Sequence, residues 1–280
     1  MSQLIHMRQR IKTVETIKRI THAMRLISRS SHFRLNKQRQ ALKNYHQNLG
    51  NLFTKIVYAY PEWPNICSYN QKNLNNTLYI IVGSHKGLCG SFNSVLFNFF
   101  NTYINTHTSN DFHILTIGRK AQEFAHSYYA HHEFKSFIEY NATLIASVAQ
   151  ELTDIVFSCS YSQVILISNK IKNFFVYYPH ATQLIPYPQL TLTHTQSTEK
   201  EIHIEGDPYT TLDHLAKIYM QATIQILLFE AFLAEQAARF ISMDNATRNA
   251  DTILENTRLD YNKLRQAKIT KEMIEISNSY

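Results

Sequence analysis

Apolar residues recur every three or four positions near both ends of the chain and cluster in short runs between them. Near the start, Leu4, Met7, Ile11, Val14, Ile17, Ile20, Met24 and Ile27 keep the spacing of one face of an α-helix. Only the step from Val14 to Ile17 interrupts the heptad alternation, which predicts local overwinding in a coiled coil. The helix is expected to continue, less regularly patterned, to the punctuation Pro61-Glu62-Trp63-Pro64.

The other end reads more clearly. Asp207 is a good N-cap, and Pro208 suits the first helical position, where its missing N–H costs nothing. From Ala222 the series Ile226, Phe229, Leu233, Gln236, Phe240, Met243, Thr247, Ala250, Leu254, Thr257, Tyr261 and Leu264 alternates four and three without a break, six heptads of seam. A helix from Pro208 to the end is about 108 Å long at 1.5 Å per residue. A compact domain of about 150 residues is only about 30 to 40 Å across, so most of the helix is expected to project. Its apolar stripe needs a partner, and the N-terminal helix supplies one in an antiparallel coiled coil. If the first helix ends near residue 58 it spans about 87 Å, leaving an overhang of up to about 20 Å. Ile269, Met273, Ile274 and Ile276 lie on it, to be either a frayed end or an insertion into another subunit.

Between the helices, strand-like and helix-like segments alternate. Strands are expected at 78–83, 112–118, 134–140 and 163–170, with helices from about Asn93, Arg119 and Asn141. Two further strands, around 172–178 and 181–186, add an edge. The alternation predicts a Rossmann-like α/β body with a largely parallel sheet. The expected divisions are 1–60 for the first coiled-coil helix, 61–207 for the body and 208–280 for the second helix.

Composition supports that division. All six glycines and six prolines lie between Gly50 and Pro208, so neither end carries a strong helix breaker, and an all-β fold is excluded for the whole chain. Charge is uneven as well: residues 1–43 hold eleven Lys and Arg against the single Glu15, a balance of +10 within a total of +7. Such a stripe attracts nucleic acid, an anionic membrane surface or an acidic protein loop, or is simply a solvated helix face. The start, MSQLIHMRQR, has no apolar core of a signal peptide, and no run of eighteen uncharged apolar residues suggests a membrane span.

Candidate chemistry is sparse. Gly83-Ser84-His85-Lys86-Gly87-Leu88-Cys89-Gly90-Ser91 is a glycine-rich turn between strand and helix, where α/β folds hold phosphate, but it matches neither nucleotide fingerprint. A tight turn, with Gly87 and Gly90 taking conformations other residues resist, is the simpler reading. Cys67, Cys89 and Cys159 show no C-x-x-C spacing, the fourteen histidines are scattered, and no acid and base pair can be assembled. Catalytic residues, cofactors and metals are therefore expected to be none.

Three blocks carry a resemblance. They are RIKTVETIKRITHAMRLI (10–27), SHKGLCGSFN (84–93), and 235–276 with EQAARFISMDNATRNA and YNKLRQAKITKEMIEI. Together the chain resembles the γ subunit of F-type ATP synthases, the first block through the I-T-x-A-M core at Ile20, Thr21, Ala23 and Met24, the second through S-D-[KR]-G-L-C-G-[GS]-[LF]-N. The resemblance implies a non-catalytic central-stalk rotor that couples proton or sodium flow through a c-subunit ring to ATP synthesis or hydrolysis in a ring of α and β subunits, beside an ε subunit. It further implies peripheral association, through the complex, with the cytoplasmic face of a bacterial inner (plasma) membrane.

Residue by residue, Arg265 and Gln266 match the family's R-Q pair that meets a loop of a β subunit, and Thr270 and Glu272 match positions in the same contact. Arg239 matches the arginine of E-x-A-A-R. Met24 and Arg25 match the region passing an acidic β-subunit segment, while Lys86 and Glu205 match the foot near the c ring and ε. His85 stands where the family usually has Asp, Gly206 where it often has Pro, and Ser28-Arg29-Ser30-Ser31 in place of an alanine-rich stretch. The residues also offer two other functions: a basic coiled coil binding nucleic acid, motivated by the N-terminal stripe, and a nucleotide-binding α/β enzyme using the Gly83 to Gly90 turn.

Overall fold

A computed structural model describes residues 2–60, 62–63, 76–107, 112–158, 161–186, 204 and 206–278. The chain divides into two compact units, residues 31–238 and residues 1–30 with 239–280. The two terminal helices, α1 (Ser2–Ala59) and α5 (Pro208–Ser277), contribute a segment to each.

The larger unit is built on a five-stranded sheet. Its elements are β1 (Thr77–Val82), α2 (Phe92–His107), β2 (Phe112–Ile117), α3 (Arg119–Tyr128), β3 (Glu133–Phe137), α4 (Ile145–Phe157), β4 (Gln163–Asn173) and β5 (Val176–Ile185). The strand order is β3-β2-β1-β4-β5, parallel except for the β4–β5 hairpin. Every residue of β1 is buried, as the apolar run from Leu78 to Val82 requires of a central parallel strand. Leu78, Ile80 and Val82 face a core shared with α4 and α5, which includes Leu152, Ile224 and Leu228. Tyr79 and Ile81 face the opposite core, formed with Leu96 and Phe100 of α2 and Phe124 of α3.

Three boundaries differ from the sequence expectation, the first being β3, which ends at Phe137 and not at residue 140. The edge is one strand and not two, because β4 runs on to Asn173 and the chain turns at Phe174 and Phe175. The third body helix starts at Ile145, four residues after Asn141. The Asn141 side chain caps that turn, its Oδ1 accepting from the backbone N–H of Thr143 at 3.0 Å and Leu144 at 3.1 Å. The cap expected at α5 is present: Asp207 accepts from the N–H of Tyr209 at 3.3 Å and Thr210 at 3.1 Å, and the Thr210 bond leads in holding its carboxyl below the usual range.

Within this unit the α1 and α5 segments pair through Arg39 with Glu230 at 3.0 Å, and His46 with Thr223 at 3.0 Å. Near the end of α1, Phe53 stacks on Tyr219, and the Trp63 indole N–H donates to Asp213 at 3.0 Å.

The smaller unit is an antiparallel helix pair. On α5 the expected seam is buried at Met243, Thr247, Ala250, Leu254 and Thr257, and half-buried at Tyr261 and Leu264. On α1 the seam is not the one its apolar residues suggest. Leu4, Met7, Ile11, Val14, Lys18, Thr21, Arg25 and Ser28 line the inner side, alternating three and four throughout, so no overwinding step is needed. Thr21 is 9% exposed and Ser28 1%, whereas Ile17 is 47%, Ile20 54% and Ile27 64%. The polar inner positions have partners across the pair: Lys18 with Asp251, Thr21 with Thr247 at 3.0 Å, and Arg25 with Asp244 at 2.7 Å. Keeping those pairs satisfied costs less than burying isoleucine in their place and stranding the acids of α5.

Fourteen basic residues against seven acidic ones give the smaller unit a net +7, and the larger unit is balanced. The chain's whole excess charge therefore belongs to the helix pair.

Candidate partner-contact surfaces

The residues singled out by resemblance fall in separate places. Met24 and Arg25 are half-buried on α1, Arg25 bound to Asp244, which also pairs with Arg248 at 2.9 Å. Arg239 is 6% exposed on α5. Arg265, Gln266, Thr270 and Glu272 are all exposed on the last turns of α5. There the Thr270 hydroxyl donates to the Gln266 carbonyl at 3.0 Å, and Lys268 pairs with Glu272 at 3.3 Å. Ile269, Met273, Ile274 and Ile276 are exposed beside them on a helix that continues to Ser277. This stretch is thus an ordered amphiphilic surface whose polar and apolar groups both face solvent.

Lys86 is exposed in the turn between β1 and α2, while Glu205 lies outside the described residues. Hydrogen bonds tie down the start of the turn. The Ser84 N–H donates to Asn93 Oδ1 at 3.1 Å, the Gly83 N–H to the Ile117 carbonyl at 2.9 Å, and the Lys120 N–H to the Ser84 carbonyl at 3.0 Å. Ser84 and Gly83 are thus engaged with α2, β2 and α3.

Positive φ falls on Leu88 (64°) and Gly90 (60°), not on Gly87 and Gly90 as expected. Gly118, with φ 90°, lies so close to Gly83 that a Cβ would stand 2.6 Å from its carbonyl oxygen. Packing there, beyond turn geometry alone, demands glycine.

The departures from the family pattern have local reasons. His85 Nδ1 lies 2.9 Å from the Ile138 carbonyl and so donates to it, which an ionised aspartate could not do. Gly206 has φ 91°, a conformation closed to proline. Ser28 is buried in the helix seam, where a small side chain lets the helices approach.

Thr247 was an expected seam residue, but the rest of the polar layer was not: Lys18, Thr21, Asp244 and Asp251, with Arg39 and Glu230 in the larger unit. Its signal was the three-four count, which stays in register through α1 only if polar residues are admitted to the seam.

No cluster of three metal-binding side chains occurs among the described residues, and none of their helices is long and apolar enough to cross a membrane. Cys89 is buried; Cys67 and Cys159 lie outside the described residues. An open groove of about 470 Å³ between α1, α4 and α5 is lined by Leu42, Tyr45, Ile145, Phe229 and two glutamines, without a carboxylate, histidine or lysine to do acid-base work.

Residues 3–280 match the family model described as ATP synthase. An ATP synthase gamma chain of Mycoplasmopsis synoviae is 30% identical over 285 residues, 99% of this chain and 97% of that relative. One from Rickettsia canadensis is 28% identical over 287 residues, 99% of this chain and 98% of the relative. The fold resembles a chain from the central stalk and c-ring of the Tetrahymena thermophila mitochondrial ATP synthase, with TM-score 0.60, 23% identity and coverage of 81% of this chain and 99% of that one. The sequence match runs through both terminal helices and the sheet between them, and by it the chain belongs to the ATP synthase family, among the gamma chains.

Proposed function

We propose that this chain is the non-catalytic central-stalk rotor subunit of an ATP synthase, coupling proton or sodium flow through a c-subunit ring to ATP chemistry in a ring of α and β subunits. The observation that carries this is end-to-end alignment with gamma chains, leaving almost none of either sequence unmatched. The alternative of a basic nucleic-acid-binding coiled coil finds no support among these relatives. The stripe is also partly neutralised, since Lys18, Arg25 and Arg39 are committed to carboxylates of α5.

The finer assignments follow from resemblance and exposure. Arg265, Gln266, Thr270 and Glu272, with the apolar residues around them, are read as meeting the ring; Met24, Arg25 and Arg239 as facing it further along. The exposed isoleucines at 17, 20 and 27 give the helix pair an apolar side suited to the same surroundings. Lys86 and Glu205 are read as lying near the c ring and the ε subunit. The division into 1–60, 61–207 and 208–280 describes the parts such a rotor needs. The complex is membrane-associated, and the side assigned to this chain is the cytoplasmic face of a bacterial inner (plasma) membrane, where it is peripheral.

Co-purification of the tagged chain with α and β subunits tests the function. Within that complex, Arg265→Ala with Gln266→Ala is expected to lower coupled ATP turnover, because truncating a charged hydrogen bond buried in an interface costs roughly 2 to 5 kcal/mol. The same change should leave the melting temperature of the isolated chain unaltered, both side chains being exposed there. Unchanged turnover would remove these residues from the contact.

A further inference from the structure

The linker between β3 and α4, residues 138–144, carries Tyr140, which is only 2% exposed. Its hydroxyl donates to the backbone carbonyl of Leu228 in α5, and the Phe232 N–H reaches the hydroxyl oxygen. Leu228 and Phe232 are four residues apart, so they are the two ends of one rung in the helix's own hydrogen-bond ladder. The Tyr140 hydroxyl therefore stands inside that rung, accepting from one end and donating to the other. Its ring packs edge to face on Phe232, centroids 5.5 Å apart. The helix continues on either side of the insertion, and all of these residues belong to the larger unit.

Apolar contacts seat this part of α5 on the sheet, with Ile224, Leu227, Leu228 and Ala231 in one core with Ile80, Val82 and Leu166. Such contacts have no direction, and packed helices can shift past a neighbour by about 1 to 2 Å. A hydrogen bond to a backbone carbonyl does have direction and a narrow range of length. Lys217 of α5 also pairs with Asp154 of α4 at 2.7 Å, but both side chains are about half exposed, where an ion pair contributes little. The base from which Tyr140 projects is itself held. The Phe137 carbonyl accepts from the Gly118 N–H at 2.8 Å, the Ile138 carbonyl from His85 at 2.9 Å, and Asn141 caps the turn into α4.

We infer that Tyr140 is a pin that fixes the position and rotation of α5 on the sheet, exchanging one rung of that helix for a bond to the β3–α4 linker. Phenylalanine would fill the same space and let the Leu228 carbonyl accept directly from the Phe232 N–H, so the hydroxyl serves attachment and not the helix alone. In the rotor proposed above, the pin makes the sheet and the α5 segment lying on it turn together. That consequence rests on the rotor function and falls with it if the chain fails to co-purify with α and β subunits, whereas the pin is decided on the isolated full chain.

Hydrogen exchange read residue by residue by NMR tests the pin with Tyr140→Phe. The amides of Thr143, Leu144 and Val148, bonded around the start of α4, are expected to lose protection by about fivefold or more. The Phe232 amide should keep its protection or gain, because its rung closes. The inference is overturned if protection at the start of α4 is unchanged, or if exchange rises alike there and at Phe232, as an ordinary loss of packing would make it. Should Tyr140→Phe fail to fold, the wild-type chain decides: the Tyr140 hydroxyl proton is expected to exchange slowly with water and to show a nuclear Overhauser contact to the Phe232 amide proton. A hydroxyl proton without that contact overturns the inference equally.

Discussion

Thr21 Oγ1 and Thr247 Oγ1 stand 3.0 Å apart across the helix pair, and each also reaches a carbonyl on its own helix, Lys18 for Thr21 and Met243 for Thr247. Two hydroxyl protons thus serve three contacts. Neither threonine depends wholly on the other, and replacing one leaves its partner satisfied. Thr247→Val is expected to cost no more than about 1 kcal/mol, and Thr21→Val with Thr247→Val less than the sum of the single changes. Thermal unfolding of the three variants checks this; a single change costing about 3 kcal/mol would show that the contact across the pair dominates.

Acid stability should bear the mark of Asp244. The Arg25 hydrogen bond leads in holding its carboxyl below the usual range, with Arg248 contributing. The unfolded chain then takes up the proton more readily, so the pair's contribution is complete above about pH 4 and is lost as pH falls through the folded value. Asp244→Asn should cost about 1 kcal/mol at pH 7 and flatten the decline in denaturant midpoint below pH 4.

Two glycines should behave oppositely. Gly118→Ala places a methyl against the Gly83 carbonyl at a backbone angle alanine resists, and a loss of about 2 kcal/mol or more is expected. At Gly87 a Cβ meets nothing within 4 Å and φ is not positive, so Gly87→Ala should be neutral or stabilise by up to about 1 kcal/mol. Comparing their melting temperatures decides the matter.

Trp63 is the chain's one tryptophan, set edge-on to Phe53 and hydrogen-bonded to Asp213. Its fluorescence should report the packing of the α1 end on the α5 start. Asp213→Ala is expected to shift the emission maximum toward the red with little change in helical circular dichroism; an unshifted spectrum would mean that the indole stays seated without its acceptor.

Much of this was legible in the sequence where apolar patterning and local caps decide. The TLYIIV strand, the Asp207-Pro208 start of α5 and its thirteen-position seam needed only nearest-neighbour rules. The α1 seam was misread because isoleucine is the stronger hydrophobic signal, yet Lys18, Thr21 and Arg25 turn inward to meet Asp251, Thr247 and Asp244. Those partners lie more than two hundred residues away, and no window along α1 contains them. Likewise the edge was split in two, with Pro179 in the gap between the expected strands. Opposite Asn169 it is accommodated within a continuous β5. The surface at Arg265 and Gln266 was legible only by resemblance, since exposed side chains on a helix leave no trace in its periodicity.

The outward isoleucines of α1 bear on how the cell would treat a surplus copy. With Ile17, Ile20 and Ile27 in water on one helix and Ile253, Ile269 and Ile274 on the other, the folded chain presents the greasy display that chaperones and proteases use to find damaged proteins. An orphan molecule would then be open to removal while still folded, with a lifetime set by whether it finds an assembly to cover these side chains. Supply of this chain would then be matched to demand by turnover and not by synthesis alone.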